Sequence, residues 1–114
     1  IAHLKEKLRA FDKERDWEQF HHPKELMLAL VIEIGEILEH FRFKSKEEVE
    51  AYIKDSKYKQ ELSHEIADCL SGILMFANAC DIDLAKAFEE KLQIKAKKYP
   101  VEKFKSRGEK YNEL

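Results

Sequence analysis

An all-α bundle of about four to five helices is predicted by three features of the sequence: helix-forming composition, few chain breakers, and apolar residues recurring at helical spacing. Lys, Glu, Leu and Ala dominate, while only three glycines and two prolines are available for the many turns an all-β fold would need. With 114 residues and 44% apolar content, the chain suits a single domain, 1–114, able to form a core without disulfides or a structural metal.

Taken in order, residues 3 to 16 place Leu4, Leu8 and Phe11 on one side of a short amphipathic helix. The segment DWEQFHHP follows, and Pro23 suits the first turn of the next helix, over 23–42. That central helix lies within ELMLALVIEIGEILEHFRF, a run so apolar that burial on more than one side is expected. Gly35 in its interior costs about 1 kcal/mol relative to Ala, a cost that fits close approach of another backbone or a ligand. Ser45 and Glu48 form a capping box for a short polar helix over 46–54. A fourth helix over 58–79 carries Leu62, Ile66, Leu70, Ile73 and Leu74 on its main stripe. Asp81 or Asp83 caps a fifth, which Pro100 ends, leaving a basic tail over 101–114.

The chemistry is carried by two acidic pairs inside the apolar helices. Glu33 and Glu36 stand three residues apart, as do Glu65 and Asp68, so each pair leaves one face of its helix about one turn apart. If the two helices pack antiparallel, four buried carboxylates meet, and a formal charge near minus four must be offset by cations or by shifted pKa values. An all-oxygen set selects magnesium, manganese or calcium over zinc. The pairing of the acids with surface lysines is the competing reading, and the apolar neighbours argue against it.

Net charge is -2, which gives no bulk argument for nucleic acid or an anionic membrane. The distribution is uneven: Lys91 to Lys110 holds eight Lys or Arg against two Glu, whereas Glu33 to Asp68 holds ten acids against six bases. Cys69 and Cys80 would be roughly 16 Å apart on one helix, beyond disulfide reach, so reduced thiols and a cytoplasmic setting are expected. There is no apolar run long enough to span a membrane and no signal-peptide pattern, and the sequence begins at Ile1 as a trimmed chain would.

The motifs WxxFH (Trp17, Phe20, His21), Pro23-Lys24, ALVIEIGEILEHF, EIADCL and KYP, with Ser106, Gly108, Lys110 and Tyr111 in the tail, occur in one order from Trp17 to Leu114. In this pattern the chain resembles the MazG-like branch of the all-α NTP pyrophosphatase superfamily, and most of all its small dCTP pyrophosphatase type. The resemblance implies magnesium-dependent hydrolysis of (deoxy)nucleoside triphosphates to monophosphate and pyrophosphate by a homo-oligomer, dimer or tetramer. It implies dCTP or modified pyrimidine nucleotides as substrates and nucleotide-pool cleansing as the role. Mn2+ would be a possible substitute for Mg2+. By position, Glu33, Glu36, Glu65 and Asp68 would be metal ligands and catalytic residues. Trp17, His21 and Phe43 would line the nucleotide pocket, and Lys24, Lys98 and Tyr99 would lie near phosphate or sugar. Three departures from the pattern bear on base choice rather than on metal chemistry: Glu25 and Lys95 stand where Asn is frequent, and Phe43 where Trp is. The tail is expected to close over the bound nucleotide.

Without the resemblance, Trp17 and Phe43 read as ordinary core, Glu39 as solvated, and His22, His40 and His64 as structural or exposed. Lys91, Lys95, Lys97 and Lys98 fit a solvated face as well as phosphate contact. A di-iron carboxylate bundle needs Glu-x-x-His pairs from two helices. Glu61-His64 and Glu18-His21 fit the letters, but the second stands at a helix entrance rather than mid-bundle. A non-catalytic helical interaction module explains the apolar excess and leaves four buried acids without a purpose. A nucleic-acid role for the tail lacks a recognition-helix pattern.

Overall fold

The computed structural model describes residues 1–105, and these are helical with no strand among them. Ser106, Gly108, Lys110 and Tyr111 lie outside the described residues. The chain divides into two units, Ile1–Ile82 and Asp83–Leu114. The first contains α1 (Ala2–Glu14), a 3-10 turn (Glu18–Phe20), α2 (Pro23–Glu39), α3 (Lys46–Lys54) and α4 (Ser56–Ala79). The second contains α5 (Leu84–Lys98) and α6 (Val101–Phe104).

The local sequence accounts for most boundaries. Pro23 opens α2, where a missing N–H is harmless. Ser45 and Glu48 form the expected reciprocal cap of α3. Asp55 accepts from the Lys57 and Tyr58 amides, so α4 begins at Ser56, two residues before the predicted start. Asp83, not Asp81, caps α5, accepting from Lys86 N–H. Asp81 instead takes a left-handed φ of 54° after α4, and Asp16 does the same after α1. At each end an amide reaches five residues back, Ile82 N–H to Ala77 O and Trp17 N–H to Asp12 O, which satisfies a carbonyl the helix leaves open. The central helix stops at Glu39, three residues earlier than predicted, and places Phe43 in the following turn rather than on a helix.

Within the first unit α2 packs on α4 in antiparallel sense, since Leu26 and Met75 share one cavity wall while Glu36 and Glu65 share another. A Cβ on Gly72 would stand 3.5 Å from Leu30 Cδ1, so the close approach in this seam is made at Gly72. Gly35, predicted to admit a neighbour, has nothing within 4 Å in the chain itself. Helix α1 lies along α4, tied by Arg9 donating to Asn78 Oδ1 at 3.0 Å and Lys5 Nζ donating to Ile82 O at 2.7 Å.

The core differs from expectation. Only Leu30, Leu62, Cys69, Leu74 and Ala77 are buried apolar residues among those described, all on α2 and α4. Leu28, Val31, Ile32 and Leu38, four residues of the run predicted to be buried, are exposed. With Gly35 they form one outward stripe at helical spacing, because α4 covers only the opposite side of α2. No helix among the described residues is long and apolar enough to cross a membrane.

Candidate active site

The antiparallel seam places the second half of α2 beside the middle of α4. Glu33 and Glu36 project from α2, Glu65 and Asp68 from α4, and the four line one small cavity of about 30 Å³. Sequence spacing therefore predicts the cluster correctly, but not its burial. Glu33 and Glu65 are half-buried, whereas Glu36 and Asp68 are exposed. The reason is visible in the flanks, since the apolar residues meant to enclose them face away from α4.

The carboxylate fields converge on Cys69. Burial pushes its thiol up, and the charges of Glu33, Asp68, Glu65 and Glu36 add to that in the same direction. Among the described residues no group of three or more His, Cys, Asp or Glu side chains stands close enough, as placed, to hold a metal ion. The cluster is an open oxygen-lined space whose volume suits one ion or water, and glutamate side chains have the torsional freedom to close on it. It fits a hard divalent cation and lacks the nitrogen or sulfur donors zinc favours.

Glu65 has a further neighbour. His40 Nε2 stands 2.8 Å from Glu65 Oε2, and His40 Nδ1 is hydrogen-bonded with the Tyr52 hydroxyl. No sequence pattern marks this link, because His40, Tyr52 and Glu65 belong to three different segments and meet only through tertiary packing.

Two larger cavities follow along α4, the first in the α2–α4 seam and the second between α4, α1 and the turn before α2. One of about 160 Å³ shares Glu33 and Asp68 with the acidic cluster and runs past Leu30, Ser71 and Gly72 to Met75. The next, of about 210 Å³, shares Met75 and is lined also by Arg9, Asp12, Glu18, His21, Asn78 and Ala79. From Asp68 to Asn78 the path along α4 is roughly 15 Å. His21 thus lines a cavity shared with α1 and the end of α4. Trp17 and Phe43 do not reach any of these cavities and are surface aromatics, 44% and 85% exposed, with Trp17 edge-on to Phe11 at 5.8 Å. Lys24 is exposed on the first turn of α2. Lys98 and Tyr99 belong to the second unit, where Tyr99 meets Phe104 edge-on at 5.1 Å and Lys98 lies over the Tyr99 ring.

Asp12 was not anticipated as a buried group, although its position four residues after Leu8 puts it on the apolar side of α1. It is 2% exposed, its Oδ1 has no hydrogen-bond partner, and its Oδ2 lies 4.0 Å from His21 Nδ1. Burial pushes its carboxyl above the usual range, only partly countered by His21. Because the folded state holds this proton more tightly than the unfolded chain, the associated stability is complete below the unfolded pKa near 3.8 and is lost as pH rises through the folded value. Asp12→Asn is accordingly expected to raise stability at neutral pH by about 1 kcal/mol or more. Melting curves across the acid range should show the gain shrinking as pH falls; a difference that is constant with pH would contradict this account of Asp12.

The MazG-like family model matches residues 28–114. The rat and human proteins named dCTP pyrophosphatase 1 are each 38% identical over 104 residues, covering 91% of this chain and 61% of their own length. The chain thus spans 61% of those curated relatives. A solved pyrophosphatase from Archaeoglobus fulgidus DSM 4304 superposes with a TM-score of 0.77 at 32% identity, covering 87% of this chain and 91% of that one. The helical fold with its paired acids and this agreement over most of its length make the chain a member of the MazG-like family.

Proposed function

We propose that the chain is a magnesium-dependent nucleoside triphosphate pyrophosphohydrolase, releasing monophosphate and pyrophosphate, with dCTP or a modified pyrimidine nucleotide as substrate. The observation that carries this reading is the meeting of Glu33, Glu36, Glu65 and Asp68 around one cavity at the head of a longer groove. Relatives named as dCTP pyrophosphatases support the substrate class. The family match runs through both units, which supports treating 1–114 as one functional domain.

In this reading the four carboxylates hold Mg2+, or Mn2+ in its place. Such an ion supplies charge neutralisation on the phosphates and a bound water of lowered pKa. The protein's own part is positioning. As ligands of that cation Glu33 and Asp68 would set where the phosphate end of the substrate sits, and Ser71 and Gly72 leave room for the part of the nucleotide next to it. His21 and Asn78 offer hydrogen-bonding groups at the far end of the groove. Lys24 faces solvent, where it can approach a polyanion; Trp17, Phe43, Lys98 and Tyr99 are assigned to the nucleotide by family resemblance alone. A cytoplasmic role in nucleotide-pool cleansing agrees with two free cysteines.

We also infer a homo-oligomer, dimer or tetramer. Among the described residues five buried apolar side chains make a thin core, and the outward stripe of α2 supplies the missing apolar surface. Gly35, open on that stripe, lets a second copy approach closely.

The test is incubation of the purified chain with magnesium and a panel of natural and modified nucleoside triphosphates, with all phosphate products resolved. Monophosphate with pyrophosphate, lost on chelation, is the expected result. Release of inorganic phosphate instead, or no turnover of any nucleotide, would overturn the reading.

A further inference from the structure

The C-cap of α2, the last turn of α3 and the middle of α4 contribute one residue each to a connected polar chain: His40, Tyr52 and Glu65. The Tyr52 end is closely held. The Tyr52 hydroxyl is hydrogen-bonded with His40 Nδ1, while the Tyr52 ring stacks on Tyr58 at 4.3 Å between centroids and meets Phe41 edge-on at 5.9 Å. Lys44 Nζ donates to the His40 carbonyl, fixing the turn that carries the imidazole.

At the other end, Glu65 Oε2 is covered and, apart from the 2.8 Å approach of His40 Nε2, has no hydrogen-bond partner. A carboxylate oxygen only accepts, so a neutral imidazole facing it carries its proton on Nε2 and leaves Nδ1 to accept from the tyrosine. The Tyr52 hydroxyl keeps its proton for that role, since burial and then the nearby charges of Glu61 and Glu65 push it above its ordinary pKa. One oxygen of Glu65 is thus turned toward His40. The side chain remains 38% exposed, so its other oxygen is available to the shared cavity.

We propose that His40 and Tyr52 are positioning residues that hold the Glu65 carboxylate in one orientation for a divalent cation, a role that rests on the reading of the acidic cluster given above. It also gives α3 a purpose, because that short and largely polar helix delivers Tyr52 to the back of the site. Metal-ligating carboxylates depend on such partners for their orientation, and losing one typically weakens metal affinity by about 10- to 100-fold.

The test is Mn2+ binding to the full chain by titration calorimetry, without nucleotide, accompanied by metal-free melting curves. His40→Leu is expected to weaken binding by about tenfold or more, and Tyr52→Phe, which removes one oxygen atom, by a smaller factor. His40→Gln, which can present an N–H near the position of Nε2, should recover most of the affinity. A purely structural role would lower the melting temperature and leave the affinity of the folded protein unchanged. If Glu65→Ala loses Mn2+ while Tyr52→Phe and His40→Leu bind it as tightly as the unsubstituted chain, the positioning role is overturned and the acidic cluster stands. If the unsubstituted chain binds no Mn2+, the cluster reading fails and the proposal with it. Should His40→Leu not fold, Tyr52→Phe and His40→Gln decide the matter.

Discussion

Replacing Glu36 or Asp68 by alanine is expected to abolish turnover while the helical fold survives and becomes slightly more stable without metal. Both side chains are exposed, so their removal costs no packing. Each also stands three residues from a like charge, and relieving such a pair is worth a few tenths of a kcal/mol. The catalytic loss is far larger. A cation that stabilises charge in phosphoryl transfer contributes several kcal/mol, and at about 1.4 kcal/mol per decade its loss lowers the rate by about three orders of magnitude or more. Pyrophosphate release with and without magnesium, together with melting curves, checks both halves. Retained activity in both variants would remove these residues from the metal site.

The second large effect concerns α2. Val31 and Leu38 are 66% and 59% exposed in the single chain, so an aspartate at position 31 should barely disturb the fold of one copy. In an assembly that buries this stripe, Val31→Asp removes about 2 kcal/mol of apolar burial from each copy and introduces a charge into the contact. A two-fold interface feels the change twice, so association should weaken by about three orders of magnitude. Light scattering should then find the 13.5 kDa monomer where the unsubstituted chain forms a multiple of it. A monomeric unsubstituted chain, or an assembly untouched by Val31→Asp, would place the contact elsewhere or nowhere.

How much of this was legible beforehand follows from the range over which each signal acts. The cap at Ser45 and the helix start at Pro23 are local chemistry, set within three or four residues, and they stand where the sequence puts them, while Asp83 is one of the two caps the sequence allows for α5. The acidic cluster needed one tertiary assumption, antiparallel packing of the two most apolar helices, and that assumption holds. Burial within one chain is less legible, because an apolar helix face records that it must be covered and not by what. Val31 and Leu38 are therefore open in the single chain. The link from Tyr52 through His40 to Glu65 left no pattern at all, since its members share neither a helix nor a spacing. Asp12 was within reach, because its register with Leu8 placed it on the inward side of α1.

The most direct test of the central claim is to see the ion. Crystals grown with Mn2+ and a non-hydrolysable deoxynucleoside triphosphate analogue, measured at the manganese absorption edge, would locate it by anomalous scattering. The account predicts a peak between Glu33, Glu36, Glu65 and Asp68, bonded to carboxylate oxygens and to the phosphates of the analogue. A nucleotide bound with its manganese held elsewhere, and these four side chains free of it, would contradict the account.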